Sequence, residues 1–206
     1  MTCSQRPLAV YRRAEFRTSQ YRLRPASAQD QHLMFGWRSD GETARFLSGS
    51  APKSIEDQLA WFESVRRDAS YSYHIIEYQN VPIGFTSMFN ADPSEHEAEW
   101  GVVLGEHKGQ GLVKLIAPLC CICAFRFAEL EKIYSCVNHN NGAAMRKMEQ
   151  LGATLFEKPS RYRKNGELLF RINADEFKKI LITLADAGSA GADELDVEMR
   201  IVETAP

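Results

Sequence analysis

The chain has 206 residues, a length that suits one α/β domain with short extensions and a sizeable core. Its 25 Lys and Arg nearly balance its 27 Asp and Glu, which argues against a strongly basic nucleic-acid-binding protein. The 44% hydrophobic and 25% charged residues are typical of a globular protein, and no apolar run reaches the length of a membrane span. We therefore expect no nucleic-acid partner and no membrane segment.

The N-terminal residues and the cysteines indicate where in the cell the protein is expected. Residues 1–24 hold six arginines, one acid (Glu15) and no secretory hydrophobic segment, which predicts a solvated basic tail. The five cysteines include Cys120, Cys121 and Cys123, whose spacing fits neither a disulfide framework nor a zinc site. We predict reduced core cysteines, no metal and a cytoplasmic location.

Taken in chain order, the first predicted elements are a strand and two helices. Residues 21–25 form the strand, and Ser27 with Asp30 forms a capping box that begins the first helix. Its apolar side is predicted to carry Leu33, Met34 and Trp37. Ser54 begins the second helix, and helical spacing predicts a buried side of Ile55, Leu59, Trp61 and Phe62.

Strands dominate the middle of the chain. Residues 73–78 and 81–89 are predicted as hairpin strands around a Gln79-Asn80 turn, and a third strand covers 95–104. Because side chains alternate along a strand, one face of the third strand carries Glu95, Glu97, Glu99, Gly101 and Val103.

The second half of the chain completes an α/β pattern. Its predicted elements are a helix over 112–129, a strand over 133–137, a helix that opens at 140–142 and runs through 150, a hairpin over 153–172, a helix over 175–187 and an alternating segment over 197–201. This order predicts an α/β (α+β) fold of three layers, with a mixed central sheet and helices on both faces. We expect a basic extension over 1–20, a domain over 21–174 and a helix with an acidic tail over 175–206.

The loop from Leu104 to Leu112 is the most informative motif, because it joins a strand to a helix. Gly109 and Gly111 let the backbone approach a ligand closely, and free amides at the helix start suit a phosphate. Lys108 adds a positive charge. The spacing matches neither a Walker loop nor a dinucleotide fingerprint, so the alternatives are a phosphate site and a plain turn.

Three segments together resemble the GCN5-related N-acetyltransferase (GNAT) superfamily. Residues 108–113 are similar to the family's (Arg/Gln)-x-x-Gly-x-(Gly/Ala) pyrophosphate loop, and 141–152 to its segment of Asn, helix and Glu-Lys-Leu-Gly. Residues 37–47 resemble a subgroup that includes ribosomal-protein N-terminal acetyltransferases and the sugar-amine N-acetyltransferase of pseudaminic acid synthesis. The resemblance covers about residues 21–174.

The resemblance implies an acetyl-CoA-dependent N-acetyltransferase in which a primary amine attacks the thioester directly. Asn141 would orient the thioester end of the pantetheine, whose arm would pair with backbone groups of Val102, Val103 and Leu104. The pyrophosphate would be held by Lys108, Gly109, Gln110, Gly111, Leu112 and Val113.

Catalysis of this kind needs a base, because an alkyl ammonium must lose a proton before it attacks. Glu99 is the first candidate for the base, and Glu97, which shares its face of the strand, is the second catalytic candidate. The family's Tyr that protonates the leaving thiolate is replaced by Met148, which has no proton to donate. His139 and Tyr134 are nearby candidates for that role, with water as the alternative.

The acceptor is expected between the loop around residues 37–46, the second helix and the turn over 161–166. The predicted contacts are Trp37, Arg38, Arg45, Arg161 and Arg163. Arginines there suit a nucleotide-linked 4-amino sugar. The alternatives are acetylation of a protein N-terminal amine or another small-molecule amine, and a non-catalytic acyl-CoA-binding homologue. The sequence leaves a homodimer open.

Overall fold

The structure, a computed structural model, describes residues 6–47, 50–106, 113–156, 166–186 and 196–202. Its helices are α1 (Arg6–Tyr11), α2 (Gln31–Ser39), α3 (Gly41–Ala44), α4 (Ile55–Arg67), α5 (Val113–Phe127), α6 (Gly142–Gln150) and α7 (Ala174–Asp186). Its strands are β1 (Ala14–Arg17), β2 (Tyr21–Pro25), β3 (Ser72–Tyr78), β4 (Val81–Asp92), β5 (Glu97–Leu104), β6 (Lys132–Asn138), β7 (Thr154–Leu155), β8 (Glu167–Asn173) and β9 (Glu198–Ile201).

The strands form one mixed sheet in the order β7-β8-β6-β5-β4-β3-β2-β1-β9. Neighbouring strands pair antiparallel except β5 and β6, which run parallel. One face carries a small core in which Met34 and Trp37 of α2 pack on Ile75 and Phe85. The larger core joins the sheet to α1, α5, α6 and α7. The three-layer α/β prediction is confirmed.

The predicted helix starts are confirmed by their hydrogen bonds. Asp30 closes the capping box by accepting from the backbone N–H of Ser27 at 2.8 Å. The Ser54 hydroxyl accepts from the Asp57 N–H at 3.2 Å, where α4 begins. A one-turn 3-10 helix over Ala28–Asp30 precedes α2.

The predicted apolar sides of α2 and α4 are partly wrong. Leu33 is 44% exposed and Leu59 is 37% exposed. The two helices meet instead through buried amides, because Gln58 Nε2 donates to Gln31 Oε1 at 2.7 Å. The hydrogen bond satisfies both amides, which allows Gln31 and Gln58 to be buried. Hydrophobic periodicity treats glutamine as a solvent-facing residue and so predicts the buried side only in part.

The predicted solvated basic tail is also wrong for the first described residues. Leu8 and Tyr11 of α1, and Ala14 and Phe16 of β1, are all buried. β1 pairs antiparallel with β2 on one side and with β9 on the other. The oppositely charged extensions therefore meet inside the sheet.

The arginines of this region have a structural use, since they alternate with buried acids across three strands. The row of charges consists of Arg17, Glu15, Arg22, Glu77, Arg24 and Asp30. Burial alone would raise the pKa of Asp30, but hydrogen bonds from Arg24 and Ser27 outweigh it and lower that pKa. The charges hold the start of α2 to the sheet.

His74 of β3 connects the core to the N-terminal segment. Its Nε2 donates to the Ala14 carbonyl oxygen at 3.1 Å, and its ring contacts Tyr11 and Phe16. Burial lowers the pKa of His74 to about 4, against the opposing effect of its hydrogen bonds.

We expect acid to destabilise the fold through His74. In the unfolded chain the His74 imidazole takes up a proton below pH about 6.5. In the folded chain it takes up that proton only near pH 4. The free energy of unfolding therefore falls by roughly 3 kcal/mol on acidification to pH about 4. His74→Gln retains a donor without titrating and should flatten this part of the curve in urea unfolding at pH 4–8. His32→Gln, on the exposed side of α2, is the matched control. A His74→Gln curve parallel to that of the parent protein contradicts the assignment.

The cysteine prediction is confirmed for α5, where Cys120, Cys121 and Cys123 are buried and free. Burial raises the pKa of Cys120 to about 12, so its thiol stays protonated. Within the described ranges, no group of three His, Cys, Asp or Glu side chains is placed to hold a metal ion. The helices of those ranges are too short or too polar to cross a membrane.

Candidate functional site

β5 and β6 separate after a short parallel contact. They pair at three positions, Glu97 with Lys132, Ala98 with Ile133 and Glu99 with Tyr134. Beyond these, β5 stays with β4 and β6 stays with β8. The space between residues 100–104 and 135–138 is here called the wedge. Its walls present backbone groups that an extended ligand chain can pair with as an added strand.

A glycine in β4 allows the end of β5 to approach β4 closely. A Cβ atom at Gly84 would lie 2.2 Å from the Val103 carbonyl oxygen and 3.0 Å from the Leu104 Cα. Only glycine permits this approach, which brings the end of β5 against β4 and leaves the wedge open on the other side. Val102, Val103 and Leu104, the predicted pantetheine contacts, form that end of β5.

Trp37 supports the loop that follows β5. It is 5% exposed, and its Nε1 donates to Glu106 at 3.3 Å. A Cβ atom at Gly105 would lie 1.8 Å from the indole ring, so the ring lies directly on the backbone there. Trp37 was predicted as an acceptor contact, and the structure places it beneath the start of this loop. The predicted phosphate contacts Lys108, Gly109, Gln110, Gly111 and Leu112 lie outside the described residues, and Val113 begins α5.

Asn141 and His139 follow the end of β6. Asn141 caps α6, since its Oδ1 accepts from the Ala144 N–H at 3.1 Å. His139 Nδ1 lies 2.7 Å from the Gly166 carbonyl oxygen. A carbonyl oxygen only accepts, so Nδ1 carries the hydrogen of this bond.

Glu99 and Val103 lie on the same face of β5, because side chains two residues apart along a strand point the same way. Val103 packs against the small core under α2 and α4, so the Glu99 carboxylate lies on the face of the sheet that these helices cover. Glu99 is 8% exposed, and its Oε1 accepts from Asn90 Nδ2 at 3.0 Å. Asn90 sits where the β4–β5 register shifts, with φ of 52°. This irregularity carries β4 past its predicted end at Phe89 and aims the amide at Glu99.

Tyr134 occupies the next position across the sheet. Its hydroxyl donates to Glu97 Oε2 at 2.9 Å, and its ring packs against Phe156. Burial, followed by the hydrogen bond to Glu97, raises the pKa of Tyr134 to about 12. The structure thus brings together three predicted catalytic residues, Glu99, Glu97 and Tyr134, and leaves His139 at the far end of β6.

The predicted acceptor arginines lie apart from this row. Arg38 donates to Gln58 at 2.7 Å and stacks on Trp61 at 4.1 Å, between α2 and α4. Arg45 is exposed and pairs with Glu42 at 2.6 Å. Arg161 and Arg163 lie outside the described residues.

Two residues near Glu99 escape sequence reasoning. Asn90 is one, and its only sequence signal is that Asn favours positive φ. The other is Arg171 of β8, the Cα partner of Tyr134, whose guanidinium lies 4.6 Å from the centre of the Phe156 ring. The Glu99 carboxylate lies beside the wedge, and the Arg171 guanidinium lies on the same face of the sheet. This arrangement suits removal of a proton from a polar ligand on that face while a second ligand extends along β5 in the wedge.

Comparisons with known proteins agree on one family. The sequence profile of the acetyltransferase (GNAT) domain matches residues 20–154. A sequence search of curated proteins found no match.

Similar solved structures include three acetyltransferases. Spermidine N-acetyltransferase from Vibrio cholerae, in complex with CoA and spermine, is 18% identical, with 78% of this chain and 99% of that one covered at a TM-score of 0.69. Apo FdhC, a nucleotide-linked sugar GNAT, is 17% identical, with coverages of 83% and 96% and a TM-score of 0.68. A GCN5-related N-acetyltransferase from Brucella melitensis is 15% identical, with 82% of each chain covered and a TM-score of 0.65. At these identities the likeness is one of fold.

Proposed function

This chain belongs to the GNAT acetyltransferase family and is an acetyl-CoA-dependent N-acetyltransferase, and we propose that its acceptor is a nucleotide-linked 4-amino sugar. The observation that carries the proposed mechanism is the Glu99 carboxylate, held by Asn90 at 3.0 Å beside the wedge. It gives the site a fixed base at the point where the two strands separate.

In the proposed mechanism, the pantetheine arm of acetyl-CoA lies in the wedge as an added strand. Backbone groups of Val102 to Leu104 bind it along β5, and the amides at 109–113 bind its pyrophosphate. Asn141 uses Oδ1 to cap α6. Its Nδ2 makes no hydrogen bond to the described residues, and we assign that donor to the thioester end.

Glu99 removes a proton from the acceptor ammonium, directly or through one water, and the neutral amine attacks the thioester carbon. The amine nitrogen forms a bond to the acetyl carbon as the carbon–sulfur bond breaks, and the thiolate of CoA leaves. The nitrogen then gives its second proton to water, which yields the neutral amide. Glu97, bound to the Tyr134 hydroxyl at 2.9 Å, fixes Tyr134 beside Glu99.

In this mechanism the thiolate of CoA leaves as an anion, without an acid from the protein, and water protonates it afterwards. Met148 is 4% exposed, lies in the larger core and has no proton to donate. Tyr134, with a pKa of about 12, holds its proton too tightly to protonate efficiently a thiolate whose conjugate acid has a pKa of about 8.5. A thiolate of that basicity leaves without an acid.

The choice of a nucleotide-linked sugar is supported by the fold shared with a nucleotide-linked sugar GNAT and by the cation on the acceptor face. Arg171 lies on that face, two strands from Glu99. A polyamine such as spermidine would bring like charges against this arginine. A protein N-terminal amine is the second candidate, since it also presents one primary amine to Glu99.

The test is acetylation of a UDP-linked 4-amino-4,6-dideoxy sugar by the full chain with acetyl-CoA, followed by mass spectrometry. The expected product gains one acetyl group at a rate well above the enzyme-free control. Peptides with free N-terminal amines are assayed in parallel. Peptide acetylation without sugar acetylation overturns the sugar proposal and favours the second candidate.

We also propose that the reaction takes place in the cytoplasm, where acetyl-CoA is made and thiols stay reduced. The free buried cysteines of α5 support this setting. A homodimer remains a prediction, which light scattering after size-exclusion chromatography checks.

A further inference from the structure

Arg171 is the one side chain of the described ranges with a buried polar atom that lacks a hydrogen-bond partner. The atom is its Nε, which is shielded from water. The guanidinium stacks on Phe156 at 4.6 Å, and it forms no ion pair with any described residue. Buried donors are normally satisfied, so this one calls for an explanation.

An unsatisfied guanidinium donor is expensive to bury, because the desolvation cost of a polar group without a partner reaches about 1–3 kcal/mol and is larger for charged groups. The ion pairs elsewhere in the sheet show the alternative: Arg24 binds both Asp30 and Glu77. Arg171 has no such partner in the described chain. A ligand that brings an anion balances this charge and pairs with the guanidinium.

The sheet register fixes where that anion would lie. Glu99 faces Tyr134 across β5 and β6, and Tyr134 faces Arg171 across β6 and β8. The three residues form one row on one face, so the Cα atoms of Glu99 and Arg171 are about 10 Å apart, two strand spacings. Glu99 and Arg171 are therefore placed to contact the two ends of one small molecule.

We propose that Arg171 is the acceptor's anion-binding residue, and that it binds the phosphate next to the sugar while the amine lies at Glu99. The inference rests on the proposed function, because it assumes an amine acceptor at Glu99. A 4-amino sugar linked through carbon 1 carries its amine and its first phosphate at opposite ends of the ring, which matches two groups two strands apart. Phe156 holds the guanidinium plane in place from one side.

The first test measures binding of inorganic pyrophosphate by calorimetry to the full chain saturated with CoA, which occupies the donor's own phosphate site. We expect Arg171→Gln to weaken pyrophosphate binding by about 10- to 100-fold and Arg171→Lys to weaken it less. Arg126→Gln is the matched control, since Arg126 is an exposed arginine that stacks on Phe127 at 5.0 Å on α5. No binding to the parent protein, or equal binding by Arg171→Gln, overturns the inference.

The second test compares KM for the UDP-linked 4-amino sugar with KM for the same sugar without its nucleotide. Arg171→Gln should raise KM for the UDP-linked sugar by about 10- to 100-fold and leave kcat, KM for acetyl-CoA and KM for the free sugar unchanged. A uniform loss of kcat for both sugars would indicate a structural role and overturn the inference.

The two proposals fail in different ways. If no sugar is acetylated but pyrophosphate binding depends on Arg171, the sugar proposal falls, and Arg171 stands as an anion-binding residue for an acceptor other than a sugar nucleotide. If the UDP-linked sugar is acetylated equally well by Arg171→Gln, the sugar proposal stands and the inference falls.

Discussion

Replacing Glu99 by glutamine is expected to lower kcat by about 100- to 10,000-fold, the range over which general bases contribute. The amide cannot accept the ammonium proton, yet it is close in shape and still offers an oxygen to Asn90 Nδ2, which lies 3.0 Å from Glu99 Oε1 in the parent protein. The dissociation constant for acetyl-CoA should stay unchanged, because the donor binds along the wedge. Steady-state kinetics and calorimetry of the same preparation measure the two quantities.

Glu97→Gln is the matched control on the same face. Its carboxylate accepts from the Tyr134 hydroxyl at 2.9 Å, so its loss should disturb positioning and lower kcat far less. The pH profile separates the roles: the acidic limb of kcat should disappear in Glu99→Gln and remain in Glu97→Gln. If Glu99→Gln keeps the parent's rate at every pH, Glu99 is not the base.

Replacing Gly84 by alanine is expected to weaken acetyl-CoA binding by more than 10-fold. A methyl group 2.2 Å from the Val103 carbonyl oxygen forces β5 to move by about 1 Å to reach an ordinary contact. That shift carries the end of β5 toward β6 and narrows the wedge. We also expect the free energy of unfolding to fall by about 1–3 kcal/mol. Calorimetric titration with acetyl-CoA and urea unfolding measure both effects.

Gly36→Ala is the control for Gly84→Ala. Gly36 lies inside α2, and a Cβ atom there meets nothing within 4 Å. Alanine at this position should stabilise the helix by about 1 kcal/mol and leave acetyl-CoA binding unchanged. A Gly84→Ala protein that loses stability but binds acetyl-CoA as tightly as the parent would contradict the link between this glycine and the wedge.

The main elements of the fold could be predicted because local signals mark their ends. Ser54 caps α4, and Gly152, with φ of 68°, follows α6. The N-terminal segment could not be predicted in the same way, because its stability comes from distant partners. Glu15 lies within the segment predicted as a solvated tail, and only the pairing of β1 with β2 brings it against Arg22.

The candidate site also contains residues that local sequence patterns predict and residues that only tertiary pairing brings in. Alternation along one strand places Glu97 and Glu99 together, and no tertiary information is needed for that. Asn90 reaches Glu99 through an irregular register, and Arg171 reaches the row through two strand pairings. Neither relation has a fixed spacing in the sequence, so neither residue was a candidate.

The pairing of β1 with β9 has a consequence for how the chain is made. Ala14 faces Ile201, so one edge of the sheet is completed by segments synthesised at very different times. Until residues 198–201 pair with β1, its outer edge presents unpaired backbone groups, which are a template for strands of other chains. Contacts so distant in sequence also form slowly. The folding chain is therefore exposed to aggregation at this edge until β9 covers it.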